Sequence, residues 1–228
     1  MNENMKEFAI ATAKGAVSAI PFAGGLVSEY INLAQTNVAS KRMEKWMSYV
    51  EKVLKEINYS IEDLSKNEEF YSCVQATTLG AMRAYQEEKR SLFANALFSS
   101  ANNLDINCDK KLFYISLLDS YTLSHITLLR YLSEDSSQQE IKNTNRGMIS
   151  SRNIGGTEKP LDGILENNPE FKKDLSFAKH LLEKLISDSM IGFFDLNMPV
   201  SRKASRAKRT TKNGDDFLAF ISDKLRTG

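Results

Sequence analysis

The chain has 228 residues, of which 42% are hydrophobic and 26% charged, and its formal net charge at pH 7 is +1. This composition is typical of a globular protein, and the near-neutral charge excludes a protein that binds polyanions over its whole surface. Two cysteines are too few for the disulfide framework of a small secreted protein. Because residues 1–7 also lack the basic character of a secretory signal, we expect a cytoplasmic protein.

Residues 8–31 form an apolar segment that only Lys14 and Glu29 interrupt. Its uncharged part, residues 15–28, is shorter than the roughly 20 residues of a membrane-spanning helix. Pro21 predicts a break, so we expect two helices, at about 4–20 and 23–35, packed as a buried hairpin. The alternative is a membrane-active segment. Its candidate contact residues are Phe8, Ile10, Val17, Ile20, Phe22, Leu26 and Val27.

Three further helices are predicted up to residue 133. Ser40 predicts the N-cap of the first, which has Trp46 on its apolar face. The second covers residues 67–102, where one face repeats at steps of three and four residues. That face consists of Phe70, Val74, Thr77, Ala81, Tyr85, Glu88, Leu92 and Asn95. The third begins at Asn107 and carries His125 on its inner face. Together they predict a helical bundle over residues 1–133.

Polar side chains on these inner faces need hydrogen-bonding partners. If the helices are neighbours, Glu88, Lys89, Asn95 and His125 could meet inside the bundle. A buried carboxylate–imidazole pair can serve acid/base chemistry, or it can fix the register of helices. We expect the second role, a buried polar network of Glu88, Asn95 and His125, which predicts that truncating Glu88 lowers stability.

Residues 134–156 lose all periodicity and are rich in Ser, Asn, Gln and Gly, so we expect a flexible linker. Residues 157–228 then predict helices up to about residue 191, a strand at Ile191–Leu196 and a second strand at Thr210-Thr211. A last helix follows Asp215. This order is that of a winged-helix-like module. The predicted fold is therefore mostly α, a multi-helix bundle followed by a small module with two short strands.

Residues 201–214, which we call the basic segment, carry six basic side chains and no acid. In a winged-helix module such a loop contacts the phosphate backbone. The candidate contact residues are Arg202, Lys203, Arg206, Lys208, Arg209 and Lys212. A solvated loop, or a surface that docks an acidic protein, is the alternative interpretation.

No spacing typical of a metal or cofactor site is present. The two histidines and two cysteines are far apart in sequence. Gly24-Gly25 and Gly155-Gly156 lack the pattern of a phosphate-binding loop. We therefore expect no metal, no cofactor and no enzymatic activity.

Several short features are spread over most of the chain outside the predicted linker. They are Pro21 and Gly24; Lys41-Arg42 and Trp46; Glu88-Lys89 and Asn95-Ala96-Leu97; His125 and Leu128-Leu129; and Thr210-Thr211, Gly214, Phe217-Leu218 and Phe220-Ile221. Together they resemble a group of uncharacterised bacterial helical proteins with a winged-helix-like C-terminus. The resemblance implies a helical fold and indicates no catalytic residue in this chain.

These observations predict a non-enzymatic binding protein whose C-terminal module contacts nucleic acid or an acidic partner. One alternative is a membrane-acting effector of the defence or toxin type that uses residues 8–31. Another is a structural subunit of a larger assembly. The sequence leaves the oligomeric state open.

Overall fold

The computed structural model describes residues 37–57, 66–102, 106–134, 157–205 and 207–222, with the side chains of Asn37, Glu158 and Arg202 excepted. Over these residues the protein is mostly helical, which confirms the predicted fold class at that level. The chain divides into two compact units, residues 1–120 with 219–228, and residues 121–218. The predicted apolar hairpin and residues 135–156 of the predicted linker lie outside the described residues.

Four helices build the described part of the first unit. They are α1 (Asn37–Glu56), α2 (Glu68–Arg83), α3 (Glu87–Asn102) and α4 (Cys108–Ser120). Helices α2 and α3 contact each other, and each of them contacts both α1 and α4. The core is apolar, and the indole Nε1 of Trp46 donates a hydrogen bond to Thr78 Oγ1 at 3.1 Å. The polar end of this fully buried side chain is therefore satisfied.

Three predicted helix boundaries are wrong. The single helix predicted from Asn107 to residue 133 is two helices, because the chain leaves the helical path at residues 121–122. The other two concern α1 and the predicted helix over residues 67–102. Helix α1 begins at Asn37, so Ser40 lies inside it and is not its N-cap. Residues 67–102 form two helices, because the chain leaves the helical path between Ala84 and Gln86. The Arg90 guanidinium donates to Ala84 O at 2.7 Å and so satisfies a carbonyl at this break. The periodic face predicted across the break ends with it, and Tyr85 is 74% exposed.

Gly80 lets α2 approach the aromatic ring of Phe93 on α3. A Cβ atom at position 80 would overlap that ring, and the Phe93 side chain is fully buried. We expect Gly80→Ala to lower the free energy of unfolding by about 1–2 kcal/mol, since overpacking outweighs the better helix propensity of alanine. Chemical denaturation measures this change.

Phe93→Leu provides the control, because it removes the far end of the ring. In the Gly80→Ala background this substitution should lower the free energy of unfolding by less than it does in the wild type. Simple additivity of the two changes would contradict the packing argument.

The second unit begins at Tyr121, and its described residues combine short helices with one two-stranded sheet. Its elements are α5 (Leu123–Ser133), β1 (Thr157–Glu158), α6 (Pro160–Asn167), a 3₁₀ helix (Pro169–Lys173), α7 (Leu175–Ser187), β2 (Val200–Ser201), α8 (Arg202–Ser205) and α9 (Lys212–Ile221). The residues of α9 from Ala219 onward are counted with the first unit. Strand β1 pairs antiparallel with β2, with Thr157 opposite Ser201.

The predicted strand at Ile191–Leu196 is wrong in extent. Only Ile191 pairs, through an isolated antiparallel bridge to Thr210. Residues 192–195 have no regular secondary structure, and the strands of the sheet lie instead at 157–158 and 200–201. Aromatic and branched residues favour a strand only where a partner continues the pairing. Here the basic segment forms the short helix α8 and supplies no such partner.

Candidate nucleic-acid interface

A tight turn after α7 places residues 191–194 against the end of the basic segment. Ser189 has a φ of 58°, and Met190 N donates to Leu185 O at 2.9 Å. This left-handed conformation is uncommon for a residue other than glycine, and it reverses the chain after α7. The bridge between Ile191 and Thr210 follows, and Gly192 N donates to Arg209 O at 2.9 Å.

Arg209 stacks on an aromatic ring at this junction. Its guanidinium carbon lies 4.2 Å from the ring centroid of Phe194, and its Nη2 donates to Ala204 O at 2.8 Å. A guanidinium over an aromatic face is attracted by the ring and is held in place. The neighbouring side chain of Phe193 is 86% exposed. The junction therefore presents a cation fixed on the Phe194 ring and, on the adjacent residue Phe193, a large exposed ring.

Two other predicted contact residues form surface ion pairs within the second unit. Lys208 Nζ lies 2.6 Å from Asp215 Oδ2, and Lys212 Nζ lies 3.3 Å from Asp216 Oδ2. Hydrogen bonds from Lys208 and Thr210 hold the pKa of Asp215 below its usual value. Because exposed ion pairs contribute only about 0–1 kcal/mol, a phosphate group can replace these carboxylates at little cost.

The remaining predicted contact residues differ in what the structure describes of them. Lys203 is exposed on α8. Arg206 and the side chain of Arg202 lie outside the described residues.

The predicted buried polar network is wrong for Glu88, whose side chain is exposed in the first turn of α3. Asn95 is 4% exposed, and its Nδ2 donates to Ile221 O at 3.3 Å. Lys89 is half-buried and donates to Asp119 O at 2.8 Å, and burial lowers its pKa. Asn95 and Lys89 thus each have their own partner, without the carboxylate that the sequence predicts among them.

His125 is buried at the start of α5, where it caps its own helix. Its Nδ1 accepts a hydrogen bond from Thr122 N at 3.1 Å, and Thr122 Oγ1 lies 2.9 Å from the same nitrogen. The imidazole stacks on Tyr121 with ring centroids 4.9 Å apart. Reciprocal capping of this kind satisfies backbone groups at a helix start. The position explains the burial of His125 without an acid/base role.

Sequence reasoning missed a charged cluster around Glu87, the neighbour of Glu88. The Glu87 carboxylate accepts hydrogen bonds from Lys45 at 2.7 Å, Tyr49 at 2.9 Å and Arg90 at 2.7 Å. These donors lower the pKa of Glu87 to about 2, while burial and the Glu87 carboxylate raise the pKa of Tyr49 to about 12. Because the chain breaks after α2 and a new helix begins at Glu87, Glu87 and not Glu88 faces α1.

Exchanging each glutamate for glutamine separates the two positions. We expect Glu87→Gln to lower stability at pH 7 by about 1 kcal/mol, a figure reduced for solvent screening because its side chain is 46% exposed. Glu88→Gln, the matched control, should change it by less than about 0.5 kcal/mol. The depressed pKa of Glu87 adds stability above about pH 4.5 that is lost as the pH falls towards about 2. The difference between the variants, measured by urea denaturation, should therefore shrink in acid. A difference independent of pH would contradict this role.

The membrane alternative concerns residues that lie outside the described ranges. Among the helices that the structure describes, none combines the length and the apolar character that crossing a bilayer requires. In the same part of the chain, no three His, Cys, Asp or Glu side chains are grouped closely enough to hold a metal ion.

Comparisons with known protein families, with curated proteins and with solved structures find no match to this chain.

Proposed function

We propose that the protein is a non-enzymatic nucleic-acid-binding protein whose second unit contacts phosphates through the basic segment and stacks a base on Phe193. The observation that carries this proposal is the ring of Phe193, 86% exposed beside the Arg209–Phe194 stack. Proteins that bind single strands combine cationic grooves with aromatic side chains on which bases stack. An acidic protein partner would use the cations but has no base for the ring.

The order of elements in the second unit supports a winged-helix-like arrangement. A helix, a short strand, two helices and a second short strand follow one another as α5, β1, α6, α7 and β2. The two strands pair antiparallel, and the basic segment begins in β2. In this arrangement the basic segment takes the place of the wing.

The exposed side of α7 favours contacts with the backbone over the reading of base sequence. Its exposed residues include Phe177, His180 and Glu183. A carboxylate on that side repels phosphates, and no exposed arginine or asparagine is present on α7 to pair with base edges. We therefore expect binding with little sequence preference. The expected location of the protein is the cytoplasm.

Fluorescence anisotropy with a labelled single strand of about 20 nucleotides tests the stacking step. We expect Phe193→Ala to weaken binding by about 5–30-fold, since stacking of one base contributes about 1–2 kcal/mol. Phe113→Ala is the matched control, because Phe113 is also exposed, at 44%, but lies on α4 of the first unit. It should leave the affinity unchanged.

Three results separate the proposal from its alternatives. Equal affinities of Phe193→Ala and wild type would remove the stacking step and favour a purely electrostatic contact. Absence of binding at low salt would overturn the proposal. If the protein then binds an acidic polypeptide such as polyglutamate with the same dependence on the basic segment, the partner is an acidic protein.

A further inference from the structure

The two cysteines of the chain lie close together in the first unit, although 35 positions separate them in sequence. Cys73 lies within α2, and Cys108 is the first residue of α4. The Cys108 Sγ lies 3.8 Å from Glu69 O, the carbonyl one helical turn before Cys73. Side chains on a helix lean towards its N-terminus, so the Cys73 thiol covers that same turn. Cys108 is also among the groups close enough to Cys73 to raise the pKa of its thiol, after burial as the main cause.

The two thiols have different surroundings. Cys73 is 1% exposed, whereas Cys108 is half-buried and in reach of solvent. Burial raises the pKa of the Cys73 thiol to about 11, so Cys73 remains protonated at neutral pH. A small oxidant therefore reaches Cys108 first.

We propose that Cys73 and Cys108 are a redox-active pair that forms a reversible intramolecular disulfide when the protein meets a peroxide. The Cys108 sulfur attacks one oxygen of hydrogen peroxide, the O–O bond breaks, and the departing hydroxide leaves as water with the proton of the Cys108 thiol, so that Cys108 becomes a sulfenic acid. The Cys73 sulfur then attacks the Cys108 sulfur, the S–O bond breaks, and the hydroxide leaves as a second water with the proton of Cys73. Peroxide is thereby reduced to two waters and the two thiols are oxidised to one disulfide. A dithiol reductant reverses the step by exchange.

The bridge would join α2 to the start of α4 and enclose the whole of α3. A closed loop of about 35 residues restricts the unfolded chain, so we expect the oxidised protein to melt about 5–10 °C higher than the reduced protein. The inference does not depend on nucleic-acid binding by the second unit.

Intact mass under denaturing conditions tests the inference on the full-length protein. After treatment with hydrogen peroxide and removal of the excess, we expect a mass loss of about 2 Da and no thiol that reacts with maleimide. Dithiothreitol should restore both thiols. In 8 M urea, where the structure no longer holds the sulfurs together, the bridge should form at least tenfold more slowly.

Single substitutions provide the controls. Cys108→Ser should block the mass loss and leave Cys73 unmodified, because its thiol is buried. Cys73→Ser should instead leave a sulfenic acid on Cys108, which dimedone traps. Two results would overturn the inference: a gain of one or more oxygen atoms on wild-type Cys108 without a bridge, or equal rates of bridge formation in folded and urea-unfolded protein.

Discussion

Replacing Gly214 by alanine should lower the free energy of unfolding by about 3–5 kcal/mol, because the new methyl group would overlap a backbone oxygen. Gly214 is buried in the first turn of α9, and a Cβ atom there would overlap Met190 O. A side chain could rotate away from such a contact. A carbonyl can move only with its chain.

The contacts around Met190 O explain why a shift would be costly. Thr211 N donates to this oxygen at 3.0 Å, and Thr211 Oγ1 donates to Ser189 O at 2.6 Å. The same hydroxyl accepts from Gly214 N at 3.1 Å and so caps α9. Moving Met190 O would disturb the cap, the left-handed turn at Ser189 and the bridge at Ile191 together.

Gly192→Ala is the matched control for this prediction. A Cβ atom at position 192 would meet only Arg209 O, at the ordinary contact distance of 3.9 Å. Its effect on stability should stay within about 0.5 kcal/mol. Denaturation of both variants in urea makes the comparison. Similar stabilities of Gly214→Ala and Gly192→Ala would contradict the close approach of α9 to Met190.

The second large effect concerns Asn95 and Ser99 on α3, whose side chains donate hydrogen bonds to the last backbone carbonyls of α9. Ser99 Oγ donates to Phe220 O at 2.7 Å, and Asn95 Nδ2 donates to Ile221 O at 3.3 Å. The last carbonyls of a helix have no donor within it, and here they are buried away from water. We expect the double variant Asn95→Ala/Ser99→Ala to lose about 3–4 kcal/mol, since each buried carbonyl left without a donor costs about 1–3 kcal/mol.

Ser91→Ala on the same helix provides the control for this pair. The Ser91 hydroxyl donates to Glu88 O at 2.8 Å near the surface, where water can replace it. Its loss should cost less than about 0.5 kcal/mol. A double variant as stable as Ser91→Ala would show that the carbonyls of Phe220 and Ile221 find other donors.

The pattern of apolar residues predicts the helices well and their boundaries poorly. Periodicity locates Phe70, Val74, Thr77 and Ala81 on the buried face of α2. The same period continues by coincidence through Tyr85 and Glu88, because nothing in a local pattern records that the chain leaves the helix at Ala84. Arg90 donates to Ala84 O at the break. Glu87 accepts hydrogen bonds from Lys45 and Tyr49 of α1, which are tertiary contacts that local propensity does not contain.

The partners of polar residues on the predicted faces also depend on tertiary contacts that a local pattern does not contain. The sequence predicts that Asn95 is buried and has a hydrogen-bonding partner, and the structure confirms both points. The partner is a helix-end carbonyl 126 positions away in sequence, which no local spacing can reveal. The burial of His125 also agrees with its place on a predicted inner face, but its role as a cap depends on where α5 begins.

At the candidate interface the basic residues are evident from the sequence, and the exposed ring is not. Clustered Lys and Arg residues are visible in composition, whereas the exposure of Phe193 depends on the absence of a strand partner at residues 192–195. An adjacent pair of phenylalanines next to a basic segment is the signal that could have indicated it. In a strand, one of the two rings would have faced the core.

The most direct test of nucleic-acid binding is the salt dependence of the affinity for a labelled single strand. We predict that log K falls linearly with log salt concentration, and that Lys203→Ala/Lys208→Ala flattens the slope by about 1.4 units, or about 0.7 for each phosphate that the variant no longer neutralises. Lys52→Ala/Lys55→Ala removes the same charge from α1 and should leave the slope unchanged. Equal slopes for both double variants and the wild type would contradict a phosphate-binding role for the basic segment.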